Sequence, residues 1–313
     1  MSLFIKNVEL KFNVILAPMA GYSDFALRKM CSDYGAGLVC TEMVSSNALH
    51  YDNKKTIDLL YLNDESCPIA CQIFGHDPEI MAEAAKSPYL EKFDIIDINM
   101  GCPAKKIIGN NDGSALLKDF DLARKIIEAC VKATEKPVTV KFRIGFTDDK
   151  IIAVEFAKMC EEAGASAITV HGRTTSQGYS GSTNYEVIRQ VKENVSIPVF
   201  ANGDCKTRED LVKILEITKA DGVMVGRGAI GKPEVFSELV FDKKIEVDKL
   251  EQIKYHYNKI ASLYGENFTV KYMRSHLAYY LSGKYKNNNA LIKLMKMENF
   301  DEIFSLLDEI FKS

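Results

Sequence analysis

The stretch DIIDINMGCPAKKIIGNNDGSALL (residues 94–117) contains one complete unit of the repeating pattern that decides the fold. Its apolar start is typical of a buried strand, which ends where Gly101 and Pro103 enter the chain. A flexible polar loop is predicted next, and then a helix that begins near Ser114, a residue suited to the N-cap. Cys102 therefore lies at the carboxyl end of a strand. The stretch alone leaves open whether this thiol is functional or inert.

The same unit of strand, loop and helix recurs along the chain. Short apolar runs separated by helical segments predict eight strands. They lie at residues 13–17, 37–43, 69–74, 94–99, 137–143, 167–171, 198–202 and 221–226. Residues 153–165 form the clearest amphipathic helix between two strands, with Gly164 at its carboxyl end. Eight alternations predict an α/β fold, a (β/α)8 TIM barrel. An open doubly wound sheet is the alternative, but it would not explain the count of eight.

Composition and charge restrict the class of protein. The chain has 313 residues, is 47% hydrophobic and 27% charged, and carries a net charge of -3. This is ordinary for a globular protein, and no apolar run approaches the roughly 20 residues of a membrane span. The first twelve residues are too polar for a signal peptide. Eight cysteines form no CxxC pair, so we expect a reduced, cytoplasmic protein without a metal cluster.

The carboxyl ends of the predicted strands carry polar groups, and in a barrel these ends lie on one rim, where the chemistry of such folds takes place. The side chains and turns at these ends are Pro18, Met19, Glu42, Gln72, Asn99, Cys102, Lys141, Arg143, His171, Arg173, Asn202, Gly203, Asp204, Gly226 and Arg227. The glycines of the last two ends, together with Arg227, favour a phosphorylated ligand. A pair of tight turns without a ligand remains the alternative.

With these motifs in place, the chain resembles the tRNA-dihydrouridine synthases, most closely those of the bacterial B type. The matching stretches are LAPMAGYSD (16–24), CQIFG (71–75), DINMGCPAKK (97–106), GSALL (113–117), VKFRIG (140–145), TVHGRT (169–174), FANGD (200–204) and GVMVGRGAIGKP (222–233). The resemblance implies that NADPH or NADH reduces a bound FMN, which then passes a hydride to C6 of a uridine in tRNA. It makes Cys102 the donor of the proton to C5, from a loop that closes over the base.

The resemblance also assigns the other rim residues. Those implied to contact FMN are Pro18, Met19, Ala20, Gln72, Lys141, His171, Asn202, Gly203, Asp204, Gly226 and Arg227. Asn99 would hold the target uracil, and His171 could contact either phosphate or substrate. The sequence departs from the family pattern at Thr175 and Ser176, where a basic residue is expected, and at residues 184–185, where Asp-Trp is usual. These departures concern the RNA side of the site.

Beyond the barrel the pattern becomes helical, which predicts a catalytic domain at residues 1–241 and a small all-α domain at residues 242–313. Residues 252–297 hold eight Lys and Arg against one acid, and seven of the 14 tyrosines. The cations are Lys254, Lys259, Lys271, Arg274, Lys284, Lys286, Lys293 and Lys296. Cations with aromatic rings are typical of an RNA-binding face, although a solvated helix face with core tyrosines is the alternative. The resemblance marks Lys271, Arg274 and His276 as tRNA-binding residues.

Two other functions fit parts of this pattern. A dihydroorotate-type dehydrogenase would share the FMN barrel but would need no basic tail. A non-enzymatic RNA-binding protein would keep the tail but would have lost the flavin contacts. The resemblance favours a uridine of the tRNA D-loop as substrate, and a monomer without a stable protein partner. It leaves the modified position and the choice between NADPH and NADH open.

Overall fold

Eight parallel strands form a closed barrel, as the sequence predicts. The computed structural model describes residues 2–283, 286 and 288–312. Two short strands, β1 (Leu3–Ile5) and β2 (Val8–Leu10), precede the barrel. The barrel strands are β3 (Val14–Leu16), β4 (Val39–Cys40) with its continuation β5 (Val44–Ser45), β6 (Ile69–Phe74), β7 (Ile95–Met100), β8 (Val138–Arg143), β9 (Ala167–His171), β10 (Val199–Asn202) and β11 (Gly222–Val225). Nearly all their residues are buried, as in other parallel sheets that are covered on both faces.

Neighbouring strands pair in the order β3-β11-β10-β9-β8-β7-β6-β4. The ring closes between its ends, where Leu16 N donates to Leu38 O at 2.9 Å and Gly37 N donates to Val14 O at 2.8 Å. All eight carboxyl ends therefore open onto one face of the molecule.

Helices surround the barrel and continue beyond it. They are α1 (Phe25–Asp33), α2 (Ser46–His50), α3 (Lys54–Asp58), α4 (Pro78–Ala85), α5 (Lys105–Gly109), α6 (Phe120–Ala133), α7 (Ala153–Glu162), α8 (Tyr185–Asn194), α9 (Arg208–Thr218), α10 (Val235–Phe241), α11 (Lys249–Tyr264), α12 (Glu266–Tyr280), α13 (Asn288–Leu294) and α14 (Phe300–Lys312). Within the described residues, no helix combines the length and the apolar character that crossing a membrane requires. All eight cysteines lie in the described part of the chain and have free thiols.

The helices after the barrel have a hydrophobic core of their own. Buried side chains of α11 to α14 pack together, and from the barrel this core receives Phe25 and Ala26 of α1. This arrangement confirms the small all-α region. The division at residue 242 remains a prediction, although Asp242 adopts φ 51° at the end of α10. Lys284 and Tyr285 of the basic, tyrosine-rich segment lie outside the described residues.

The amino-terminal hairpin is a feature that the sequence did not reveal. β1 and β2 pair antiparallel, and their buried residues Ile5 and Leu10 pack against the first residues of several barrel strands. Among these contacts are Ala70, Ile95 and Phe200. The hairpin therefore closes the amino end of the barrel, and the opposite end is left for the site.

A helix does begin next to Ser114, but the prediction that Ser114 is its N-cap is wrong. Residues Gly113–Lys118 form a 3-10 helix in which Ser114 is fully buried and does not cap. Its hydroxyl instead donates to the carbonyl of Cys102 at 2.9 Å. The following α-helix, α6, begins at Phe120 with Asp119 as its N-cap.

Candidate active site at the carboxyl rim

A cavity of about 540 Å³ lies over the carboxyl ends of the strands. Its wall contains Cys102, Asn99 and every residue that the sequence suggested for the cofactor: Pro18, Met19, Ala20, Gln72, Lys141, His171, Asn202, Gly203, Asp204, Gly226 and Arg227. Tyr279 of α12 also lines it, so the helical region contributes to the site. Lys271, Arg274 and His276 do not reach the cavity wall.

Cys102 is held in a hydrogen-bonded turn rather than in the flexible loop that the sequence suggested. Asn99 Oδ1 accepts from the backbone N–H groups of Gly101 at 3.1 Å and Cys102 at 2.9 Å. The carbonyl of Cys102 accepts from Ser114 N at 3.2 Å. Burial raises the pKa of the Cys102 thiol, and the nearby Lys141 and Arg143 offset this only in part. The thiol is therefore protonated at neutral pH.

A relay of hydrogen bonds runs from Thr139 through Asp97, Gln72 and Asn99 to the Cys102 turn, and Gln72 and Asn99 also line the cavity. Asn99 uses Oδ1 on the turn, so its Nδ2 donates to Gln72 Oε1 at 2.8 Å. Gln72 Nε2 then donates to Asp97 Oδ2 at 2.7 Å, and Thr139 Oγ1 donates to Asp97 Oδ1 at 2.6 Å. Because the backbone donors fix the orientation of Asn99, they fix the direction of the whole relay.

The polar groups of Lys141 and His171 face the cavity. No hydrogen bond joins Lys141 Nζ or the ring of His171 to another described residue. Burial and the neighbouring Arg143 lower the pKa of Lys141 to about 8, so it is still mostly charged at neutral pH. Burial and the surrounding cations hold the pKa of His171 well below its usual range, which keeps the imidazole neutral. The cavity thus offers a cation and a neutral imidazole to a ligand.

The ends of β10 and β11 form a compact cradle. Gly203 has φ 133°, and a Cβ there would lie 2.7 Å from Thr183 Oγ1, so no larger residue fits. Asp204 accepts from both terminal nitrogens of Arg173, at 3.2 and 2.6 Å, and from Thr183 at 2.8 Å. Arg227 Nη2 lies 3.6 Å from Asp204 Oδ1, and its side chain is 44% exposed. Backbone N–H groups and the Arg227 guanidinium can therefore bind an anion at this edge of the cavity.

A family model described as dihydrouridine synthase matches residues 15–311. The chain belongs to the dihydrouridine synthase family. A probable tRNA-dihydrouridine synthase of Rickettsia conorii is 43% identical over 288 residues, which cover 89% of this chain and 87% of that protein. The tRNA-dihydrouridine synthase B of Shewanella oneidensis is 40% identical over 281 residues, which cover 87% of each chain.

Solved structures with much lower sequence identity share the barrel. Morphinone reductase superposes with a TM-score of 0.57 at 13% identity, over 79% of this chain and 90% of that one. A variant of NCR from Zymomonas mobilis gives a TM-score of 0.56 at 15% identity, over 80% of this chain and 93% of that one. At this level of identity the likeness shows a common fold.

The departures from the dihydrouridine synthase pattern have structural roles here. Asn184 caps α8 by accepting from Val187 N at 3.2 Å. Tyr185 OH donates to the carbonyl of Gly203 at 3.0 Å, which supports the cradle. Thr175 is buried, and its N–H donates to Gly145 O at 2.9 Å. Asn184 therefore stabilises the start of α8, and Tyr185 stabilises the Gly203 turn of the cavity wall.

Some residues of the cavity wall received no role from the sequence. Arg143 is 2% exposed and donates to the carbonyls of Gly101 at 2.8 Å and Gly178 at 2.7 Å. It therefore ties the Cys102 turn to the loop after β9. The ring of Tyr179 in that loop is 59% exposed and lies 4.7 Å from the Arg227 guanidinium. The strand-end position of Arg143 was visible in the sequence, but its carbonyl partners were not.

The three residues expected to bind tRNA occupy different environments. Lys271 is exposed on α12. Arg274 is half-buried, and its Nη2 lies 3.4 Å from the carbonyl of Met297. His276 is fully buried, with Nε2 3.5 Å from Asp24 Oδ2. The structure thus leaves Lys271 accessible to RNA, whereas the His276 side chain has no surface for a direct RNA contact.

Proposed function

We propose that this protein is a flavin-dependent tRNA-dihydrouridine synthase that reduces a D-loop uridine, with FMN bound in the cavity and NADPH or NADH as reductant. The observation that carries the proposal is that Cys102 shares one cavity with Lys141, His171 and the glycine cradle. Family membership and the curated relatives support the same reaction. A monomeric, cytoplasmic enzyme fits this role.

The residues of the cavity fit FMN. A volume of about 540 Å³ lies within the roughly 300–1,000 Å³ of small-molecule sites. The cradle at Gly203 and Gly226, with Arg227 beside it, would hold the phosphate. Lys141 would place its charge against the ring, where a cation stabilises a reduced, anionic flavin. When bound, FMN would supply the hydride for the uracil.

Cys102 would supply the proton. Its raised pKa keeps the thiol protonated until the substrate arrives, and its S–H bond breaks as the proton moves to carbon. The cations of Lys141 and Arg143 would then stabilise the thiolate. Because the Cys102 turn is already fixed by Asn99 and Ser114, the base must come to the thiol.

The all-α region from residue 242 would bind the tRNA. Its exposed cations include Lys271, Lys286, Lys293 and Lys296. Lys254 is less available, because it lies 3.0 Å from Asp308 Oδ1. Tyr279 brings the region to the cavity, so RNA bound to these helices would lie next to the reaction site.

The test compares Cys102→Ala with Cys67→Ala, the other half-buried thiol and one outside the cavity. Purified protein should bind FMN at micromolar concentration, measured by flavin absorbance. In single-turnover reduction of tRNA, Cys102→Ala should lose about 10²- to 10⁴-fold in dihydrouridine formation, with FMN binding and flavin reduction unchanged. Cys67→Ala should match the unaltered protein. An unchanged rate in Cys102→Ala would contradict the proton-donor role, and failure to bind FMN would contradict the enzymatic function.

A further inference from the structure

Asp24 stands at the junction between the proposed cofactor turn and the helical region. It closes the turn of residues 18–24 and is only 6% exposed. Its Oδ1 accepts from the N–H groups of Ala26 at 2.9 Å and Leu27 at 3.0 Å, so it is the N-cap of α1. A capping role needs only this one oxygen.

The same carboxylate also receives side chains from the helices beyond the barrel. His256 Nε2 of α11 lies 3.1 Å from each oxygen, and Tyr272 OH of α12 donates to Oδ2 at 3.0 Å. His276 Nε2, one turn after Tyr272, lies 3.5 Å from Oδ2. Both histidine side chains are fully buried. Asp24 and Tyr272 are 248 positions apart in the sequence, so this cluster joins distant parts of the chain.

Asp24 is not the only residue that holds this turn, because Arg28 Nη1 donates to the carbonyl of Ser23 at 3.0 Å. Gly21 N donates to Glu42 Oε2 at 2.5 Å, and Met19 N donates to Ser23 Oγ at 2.8 Å. Gly21 adopts φ 76°, a conformation that glycine tolerates best. The position of Met19 and Ala20 on the cavity wall therefore depends on how the two ends of the turn are held.

Helix α12 has one face toward this turn and another toward solvent. Tyr272, His276 and Tyr279 follow the i, i+4, i+7 spacing of one helix face. The ring of Tyr22, which lines the cavity, lies 5.1 Å from His276 and 5.5 Å from Tyr279. Lys271, Ser275 and Ala278 are exposed on the other side. A shift of α12 caused by RNA binding on its exposed face would therefore also shift the cofactor turn, because the side chains between them are packed together.

We propose that Asp24, His256, Tyr272 and His276 are positioning residues that couple tRNA binding on α12 to the cofactor turn. The inference rests on the proposed function, and it adds that tRNA and FMN binding are linked. If tRNA strengthens FMN binding by some factor, then FMN strengthens tRNA binding by the same factor. Allosteric couplings of this kind are about 5- to 150-fold.

A cation at the cluster is the alternative. Ligand atoms of Asp24, His256 and His276 lie within 4.8 Å of one another, and no ion is present. However, the carboxylate already accepts from two backbone N–H groups, from Tyr272 and from His256. A cation would have to displace some of these donors. The hydrogen-bonded cluster therefore accounts for the geometry better.

The test compares Tyr272→Phe with Tyr264→Phe. Both remove one hydroxyl from the same aromatic run, but Tyr264 OH donates to the carbonyl of Asp58, at 3.1 Å, and does not touch Asp24. FMN dissociation constants are measured without tRNA and with saturating tRNA, and their ratio gives the coupling. We expect a ratio of at least about 5 in the unaltered protein and in Tyr264→Phe, and a ratio near one in Tyr272→Phe. Asp24→Asn, which retains the helix cap, should also lower the ratio.

Three results would overturn the inference: equal ratios in the two tyrosine variants, a ratio of one in unaltered protein that binds both ligands, or one equivalent of metal by elemental analysis. Failure of the unaltered protein to bind FMN or tRNA at all would contradict the proposed function instead. The two kinds of failure are therefore distinguishable.

Discussion

At the scale of single residues, the relay from Asp97 to the Cys102 turn shows how the barrel interior positions a reactive group. In each amide side chain of the relay, both the oxygen and the nitrogen form hydrogen bonds. The direction of every hydrogen bond therefore follows from the two backbone donors at residues 101 and 102. Burial raises the pKa of Asp97 to about 6, with Thr139 and Gln72 opposing, so the carboxylate can still accept at neutral pH.

A pair of substitutions tests the direction of the relay. Asn99→Asp keeps the acceptor for the turn but removes the donor to Gln72, and Asp97→Asn leaves one acceptor oxygen for the two donors Gln72 Nε2 and Thr139 Oγ1. Each single change leaves one buried polar group mismatched, and we expect each to lower the free energy of unfolding by about 1–3 kcal/mol. The double variant should recover most of the loss, because the reversed relay is again complete. Denaturant unfolding measures all four proteins, and additive losses would contradict this account.

The sequence predicted which residues would lie together at the rim, because strand ends in a barrel share one rim; their roles remain predictions. It could not predict what each amide bonds. Asn99 was expected to hold the substrate, and nothing in the sequence indicated that its amide also bonds Gln72, Gly101 and Cys102. Such partners come from residues that are distant in the chain, so they are readable only from the fold.

At the scale of elements, α12 carries both Tyr279 of the cavity wall and Lys271, an exposed residue of the proposed RNA surface. Lys271→Ala should weaken tRNA binding and reduce the slope of log affinity against log salt by about one, because one phosphate contact is lost. A filter-binding titration over salt concentration measures this slope. Lys213→Ala, an exposed lysine on the barrel helix α9, is the control and should leave the slope unchanged. Equal slopes in the two variants would place the RNA elsewhere.

The buried His276 makes a second prediction, about acid stability. Burial and the neighbouring His256 lower the pKa of His276 to about 3, while Asp24 acts in the opposite direction. The unfolded chain takes up a proton near pH 6.5 and the folded protein does not, so the contribution of His276 is lost as pH falls below about 6.5. The slope is at most about 1.4 kcal/mol per pH unit.

Other groups titrate in the same range. Burial acts to raise the pKa of Asp24, but His256, His276 and the N–H of Leu27 together lower it below its usual range, so its contribution is likewise lost in acid. Burial raises the pKa of Glu42 to about 7, so this residue acts in the opposite direction. These groups remain in His276→Gln, so we expect the Tm difference between unaltered protein and variant to shrink from pH 7.5 to 5. A constant difference would refute the role of His276.

Regular elements were predictable because their signals are local. All eight apolar runs became barrel strands, and Gly164, with φ 95°, follows the end of α7 as its sequence predicted. The hairpin of β1 and β2 was missed because its strands have three residues each, too few to show a period. Ser114 was misread as a cap because its partner, Cys102, lies 12 residues earlier.

At the scale of the whole molecule, the cavity is lined by residues of the barrel and by Tyr279 of the helical region. The barrel supplies the proposed cofactor site and Cys102, the proposed proton donor, while the helical region supplies Tyr279 and exposed cations. The sequence predicted both parts from their different patterns. It could not predict that they join through Asp24, because a buried cluster of this kind leaves no periodic signal.

The central claim is that this protein forms dihydrouridine in tRNA through Cys102. The most direct measurement is mass spectrometry of tRNA from cells that lack the gene, complemented with the unaltered protein or with Cys102→Ala. We predict that one D-loop dihydrouridine disappears on deletion, returns with the unaltered protein and stays absent with Cys102→Ala at equal protein level. An unchanged dihydrouridine content after deletion, in every tRNA position, would contradict the account.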